Sequence, residues 1–85
     1  MSEGSVASDV VHLVLTYSLD KRGKLRAEAP LKFGTAREAE ARAQRAEARF
    51  AGVVALSQAY DVDTEQAEET RILFRAGRLP PEFDD

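Results

Sequence analysis

Apolar and polar residues alternate with a period of two along residues 25–33, and residues 10–19 are rich in Val, Leu, Thr and Tyr, which favour strands. This period is typical of β-strands, because successive side chains point to opposite faces of a sheet. The first stretch carries apolar residues on both of its faces, which predicts a central strand. Residues 20–23 favour a type I turn, so the two strands should form a hairpin. Pro30 lacks a backbone N–H and therefore confines the second strand to an edge of the sheet.

Helical periodicity replaces this alternation after Gly34. Thr35 and Glu38 make the T-x-x-E pattern of a capping box. Alanines then recur every three or four residues as far as Phe50, which predicts a helix whose apolar face is almost wholly alanine. We expect Gly52 to end the helix in the left-handed conformation. Because alanine is small, the helix can lie close to the sheet, and the sheet must supply most of the buried volume.

Two further strands follow the helix, over residues 52–60 and 70–76, with an acidic segment between them. The sequence therefore predicts an α+β fold of element order ββαββ, with a four-stranded antiparallel sheet and one helix on one face. Two hairpins joined by a helix favour the strand order 2-1-3-4, and 2-1-4-3 is the alternative. We expect a disordered N-terminal lead at 1–9, a single domain at 10–79 and a mobile C-terminal tail at 80–85.

One helix covers only one face of such a sheet. The side chains that we place beneath it are Leu13, Leu15, Phe33, Ile72 and Phe74. The opposite face then mixes apolar residues with arginine, which is more typical of protein interfaces than of solvated surfaces. The sequence therefore predicts a homodimer that packs through this uncovered face or along an edge strand. The interface candidates are Val10, His12, Val14, Arg71, Leu73 and Arg75.

Charged residues are unevenly distributed along the predicted strands. Twelve Lys and Arg stand against fifteen Asp and Glu, which gives a net charge of −3. Alternating chain direction carries cations to one end of the sheet and carboxylates to the other, so we expect a basic pole and an acidic pole. Nucleic-acid binding at the basic pole is the alternative function, although the acidic net charge disfavours it. The candidate contacts for an anion or nucleic acid are Lys21, Arg22, Lys24, Arg42, Arg45, Arg49 and Arg78.

No motif in the chain carries the chemistry of an enzyme. The absence of cysteine excludes disulfides, thiolate metal sites and cysteine nucleophiles. Residues 61–65 resemble the start of a calcium loop, but Gln66 and Ile72 stand where an EF-hand needs Gly and Glu. His12 has no nucleophile or orienting carboxylate in a recognisable motif, and the scattered glycines form no phosphate loop. We therefore expect no catalysis, no cofactor and no metal.

The N-terminal residues lack the basic start and apolar stretch of a signal peptide. The longest apolar stretches are far shorter than the ~20 residues that a membrane-spanning helix needs. We therefore expect a cytoplasmic protein that makes no membrane contact.

Residues 52–80, GVVALSQAYDVDTEQAEETRILFRAGRLP, resemble short bacterial proteins of unassigned function. In those proteins a G-V-V-A-x-S strand follows an alanine- and arginine-rich helix, and a D-x-D-T loop and an I-L-F-R-x-G-x-L-P ending come next. The T-x-x-E helix and the first hairpin fit the same layout, so the resemblance spans most of the chain and implies the ββαββ fold. Where that pattern places Gly after D-x-D-T, this chain has Glu65 and Gln66.

The motifs of this resemblance are structural, so it implies no activity. We interpret the chain as a noncatalytic protein-interaction or regulatory module that self-associates, with a different protein as a second kind of partner.

Overall fold

The computed structural model describes residues 8–83. It confirms an α+β fold in which one helix packs on an antiparallel sheet, here of five strands. The elements are β1 (Ser8–Leu19), β2 (Leu25–Ala27), β3 (Leu31–Phe33), α1 (Ala36–Ala46), β4 (Gly52–Asp61), β5 (Ala67–Gly77) and a 3₁₀ turn at Pro81–Phe83. No helix within residues 8–83 is long and apolar enough to cross a membrane. The expected disordered lead at 1–9 overlaps β1 at Ser8 and Asp9, and the expected tail at 80–85 overlaps the 3₁₀ turn. The expectations for residues 1–7, 84 and 85 lie outside the described residues.

The second predicted strand is divided into β2 and β3, so the strand count and order differ from the prediction. The sheet runs β2-β1-β4-β5, and β3 also pairs with β1. Ala27 of β2 lies opposite Tyr17. Leu31 of β3 lies opposite Val14, so the register of β3 on β1 is shifted by one residue from the register of β2. Pro30 falls in the break, where its missing N–H removes no ladder hydrogen bond. The slip turns the apolar side chains of β2 and β3 to opposite faces, whereas strict alternation predicts a single face.

Helix α1 begins where the sequence predicts and ends earlier. The Thr35 hydroxyl accepts a hydrogen bond from the Glu38 N–H at 3.1 Å and donates one to Glu38 Oε1 at 3.3 Å. The helix stops at Ala46, and a turn leads from there to β4. Gly52 is the first residue of β4 and has no positive φ. The prediction of a left-handed cap at Gly52 is therefore wrong, because the helix ends six residues before it.

The hydrophobic core lies between α1 and one face of the sheet. Its buried residues are Val14, Ala39, Ala43, Ala46, Val53 and Ala55. The helix therefore covers the face of Val14, and the prediction that it covers Leu13 and Leu15 is wrong. Small side chains in both layers let the backbones approach closely, and close packing stabilises the core. When both faces of a strand are apolar, alternation alone does not show which face an alanine-lined helix will cover.

Two bulges divide the side chains of β5 between the faces of the sheet. Phe74 pairs with Ala55 but Ile72 pairs with Leu56, so Leu73 is an extra residue, and a second register shift lies nearer the start of the strand. A bulge shifts the alternation of side chains by one residue. Ile72 therefore lies on the face opposite Phe74, although the sequence predicts one face for both.

Candidate functional site

The helix-free face, which is the face of the sheet opposite α1, carries large apolar side chains. Leu13 and Leu15 of β1 are half-buried there, and Ile72 of β5 is 39% exposed. Together with Leu56 of β4 they line an open groove of about 540 Å³. The other residues along this groove are Gln58, Thr70, Glu82 and Phe83. An exposed apolar groove with a polar rim is typical of an interaction surface.

Residues 78–83, which we name the C-terminal strap, leave β5 through a close crossing of two chain segments. The Arg78 N–H donates to the Ala51 carbonyl oxygen at 2.8 Å. Gly77 has a φ of +77°, and a Cβ there would lie 2.2 Å from the Ala51 carbonyl oxygen. A Cβ at Gly52 would lie 1.7 Å from the Arg78 carbonyl oxygen. Both glycines are therefore needed because the backbones touch at this crossing.

The C-terminal strap forms one wall of the groove. The Phe83 ring centroid lies 6.4 Å from that of Tyr17, and the Arg75 guanidinium donates to the Phe83 carbonyl oxygen. Burial, and then the Glu82 carboxylate, raise the pKa of Tyr17 above its ordinary value. The C-terminal strap thus covers the Tyr17 end of the helix-free face, and the groove lies beside it.

The six interface candidates do not share one surface. Four of them lie on the helix side of the sheet, according to the registers of β1 and β5: Val10, His12, Val14 and Arg71. Leu73 packs against the core, and Arg75 lies on the helix-free face opposite Val54. The placement of these candidates on one uncovered face is therefore wrong. This prediction fails for two reasons. The helix covers the face of Val14 rather than that of Leu13, and the bulge at Leu73 shifts the alternation of side chains along β5.

His12 has a hydrogen-bond partner that its sequence neighbours do not reveal. Its Nδ1 lies 2.7 Å from the Ser57 Oγ, across the β1–β4 pair. A serine beside an imidazole supplies two of the three members of a nucleophilic triad. In residues 8–83, however, the imidazole has no carboxylate partner, and no group of three or more His, Asp or Glu could hold a metal ion. The pair therefore links neighbouring strands.

The strand registers place opposite charges at opposite ends of the sheet. The β1–β2 turn lies at the end where Gly52 pairs with both Tyr17 and Gly77. The β4–β5 turn lies at the other end, where Ser8 pairs with Asp61. We define the basic pole as Lys21, Arg22, Lys24 and Arg78, and the acidic pole as Asp61, Asp63, Glu65 and Glu68.

The acidic pole is organised by hydrogen bonds of its own turn. Asp61 Oδ1 accepts from the N–H groups of Asp63, at 2.8 Å, and Thr64, at 3.2 Å. Nearby, the Asp9 carboxylate accepts from the Tyr60 hydroxyl at 3.4 Å and raises the pKa of Tyr60. These contacts explain the alternate carboxylates of residues 61–65 as a turn.

A second cavity, which we name the arginine pocket, lies on the surface of α1. Its lining residues are Arg42, Arg45, Ala46, Arg49 and Phe50, and its volume is about 330 Å³. A separate hollow at the β1–β2 turn is lined by Leu19, Asp20, Lys21, Arg22, Lys24 and Arg26. The structure therefore divides six of the seven anion candidates between two cavities and places Arg78 in neither.

Comparisons with known proteins give no relative on which to base a function: no family model, curated protein or solved structure matches the chain. The resemblance to bacterial ββαββ proteins accordingly stays a prediction. The function must be argued from the geometry of the chain itself.

Proposed function

We propose that the protein is a noncatalytic interaction module that self-associates through its helix-free face. The observation that carries this proposal is the open groove beside Leu13, Leu15 and Ile72. Removing apolar surface from water stabilises an association by about 25 cal/mol per Å², before the cost of immobilising the partners. The helix cannot supply this burial, because it packs against the opposite face.

The strand edges are poorer sites for association than the face. Pairing through an edge needs a regular row of free N–H and C=O groups. Two bulges interrupt β5, and the edge formed by β2 and β3 is broken at residues 28–30. Bulged and broken edges resist pairing with another strand. These irregularities favour the face over the edge.

The charge poles favour a second copy of the chain as the occupant of the face. Homodimers commonly form about a two-fold axis that brings the same surface of each copy together. If the two-fold axis lies in the plane of the interface and perpendicular to the strands, the basic pole of each copy faces the acidic pole of the other. An axis parallel to the strands would bring like poles together, which opposes association. We therefore propose a two-fold dimer in which the strands of the two copies run antiparallel, so that the basic pole of each copy faces the acidic pole of the other.

Replacing Ile72 by lysine tests the face directly. Ile72 is 39% exposed, so Ile72→Lys should leave the single chain folded. In the dimer the same lysine would carry a charge into an apolar contact, and burying a charge is unfavourable. Sedimentation equilibrium should show a dimer for the unmodified chain and a dissociation constant raised by at least about tenfold for Ile72→Lys.

Val10→Lys is the matched control, because Val10 is 47% exposed and lies on the helix side of the sheet. It adds the same charge, and it should leave the dissociation constant unchanged. Equal weakening by both variants would mean that net charge, rather than the groove, controls association. A monomeric unmodified chain at high micromolar concentration would refute the proposal.

A further inference from the structure

The arginine pocket is built by three cations that follow one side of the helix. Arg42 and Arg45 belong to α1, and Arg49 lies in the turn that continues it, where its N–H donates to the Ala46 carbonyl oxygen at 2.9 Å. Residues spaced i and i+3 lie on the same side of a helix, so Arg42 and Arg45 are neighbours on α1. The turn after Ala46 brings Arg49 to the same cavity. The local sequence therefore concentrates three guanidinium groups around one cavity.

These three guanidinium groups are not neutralised by the rest of the described chain. Within residues 8–83, Arg42, Arg45 and Arg49 have no hydrogen bond or ion pair through their side chains. Glu38 lies four residues before Arg42, but its carboxylate accepts from the Thr35 hydroxyl at 3.3 Å. Like charges held close together repel one another, and an anion between them removes that repulsion. The pocket is therefore suited to a ligand with several negative charges.

The walls and size of the pocket indicate what else the ligand contains. Phe50 is half-buried and, with Ala46, gives the cavity an apolar side next to the arginines. The volume of about 330 Å³ lies at the lower end of the range for small-molecule sites, about 300–1,000 Å³. A guanidinium group can donate two parallel hydrogen bonds to the oxygens of one phosphate group. An aromatic ring offers a surface on which a planar base can stack.

We infer that the arginine pocket binds a nucleoside di- or triphosphate. The phosphate groups lie among Arg42, Arg45 and Arg49, and the base lies against Phe50. A nucleic-acid strand is less well suited, because it stacks successive bases on several aromatic rings and this cavity contains one. The site is separate from the proposed self-association surface, since α1 and the helix-free face lie on opposite sides of the sheet.

Calorimetric titration with ATP, adenosine and inorganic triphosphate tests this inference on the full chain. We expect ATP to bind, inorganic triphosphate to bind more weakly, and adenosine to give no signal. Arg45→Gln should weaken ATP binding by about tenfold, because charge-assisted hydrogen bonds to phosphate are lost. Phe50→Leu should weaken ATP binding and leave triphosphate binding unchanged.

Arg22→Gln is the matched control for charge, because it removes one cation from the β1–β2 turn, outside the arginine pocket. It should leave ATP binding unchanged, and circular dichroism should show that every variant is folded. No binding of ATP at millimolar concentration would overturn the inference. Equal weakening by Arg22→Gln and Arg45→Gln would also overturn it. Tighter binding of single-stranded RNA than of ATP, with a strong salt dependence, would assign the pocket to nucleic acid instead.

Discussion

At the scale of single residues, the backbone of Glu65 is the clearest departure from what its side chain favours. Its φ of 59° is left-handed, a conformation that costs a residue with a Cβ about 1–2 kcal/mol. The turn holds it there, because the Glu65 N–H donates to the Asp61 carbonyl oxygen at 2.7 Å. Glycine would suit this position, because it adopts a positive φ without the steric cost of a Cβ.

We predict that Glu65→Gly stabilises the protein. Relief of the left-handed conformation should outweigh the greater entropy of glycine in the unfolded chain and raise the free energy of unfolding by about 0.5–1 kcal/mol. Urea denaturation measures the change. Asp63→Gly is the control, because it removes the same charge from the same turn at a residue without positive φ, and it should be destabilising. Stabilisation by both variants to the same extent would show that charge repulsion, rather than the backbone of Glu65, is relieved.

At the scale of elements, features that depend on neighbours in sequence are predictable and those that depend on pairing across strands are not. The turn at residues 20–23 forms as expected, with the Gly23 N–H donating to the Asp20 carbonyl oxygen at 3.0 Å. The cap of α1 at Thr35 forms for the same local reason. The bulge at Leu73 and the slip at Pro30 depend on registers that only the folded sheet defines. Each of these irregularities changes which face the neighbouring part of its strand presents, relative to strict alternation.

The crossing between β4 and the C-terminal strap gives a prediction at this scale. Gly77 and Gly23 both have positive φ, but a Cβ at Gly23 would meet no atom within 4 Å. Gly23→Ala should therefore lower the free energy of unfolding by about 1 kcal/mol, the cost of the backbone conformation alone. Gly77→Ala adds a clash with the Ala51 carbonyl oxygen and should lower it by about 3 kcal/mol or more.

Chemical denaturation measures the change in the free energy of unfolding for both variants. Amide hydrogen exchange shows whether the crossing is disturbed. The Arg78 amide should exchange faster in Gly77→Ala and at an unchanged rate in Gly23→Ala, because only the first variant disturbs its hydrogen bond to Ala51. Equal losses of stability in the two variants would contradict the close crossing.

At the scale of the whole molecule, one helix and a sheet with two apolar faces leave one apolar face without a helix. The number of elements predicts this outcome, so the kind of candidate site follows from the sequence. The residues that form this site do not follow from the sequence, because both faces of β1 are apolar. Only packing against α1 places Val14 in the core. The alignment of Arg42 and Arg45 does follow from helical spacing, and the turn after Ala46 brings Arg49 to the same cavity. The contact of His12 with Ser57 spans 45 positions and has no local signal.

Distances between the two copies distinguish an antiparallel dimer through the helix-free face from every other arrangement. The chain has no cysteine, so Val62→Cys at the acidic end and Arg22→Cys at the basic end each accept one fluorophore. β1 has 12 residues, so the two ends lie about 40 Å apart. We predict strong energy transfer between Val62→Cys chains and Arg22→Cys chains, and weak transfer among Val62→Cys chains alone. Strong transfer among Val62→Cys chains, or none in any mixture at concentrations where the dimer should form, would contradict the antiparallel dimer.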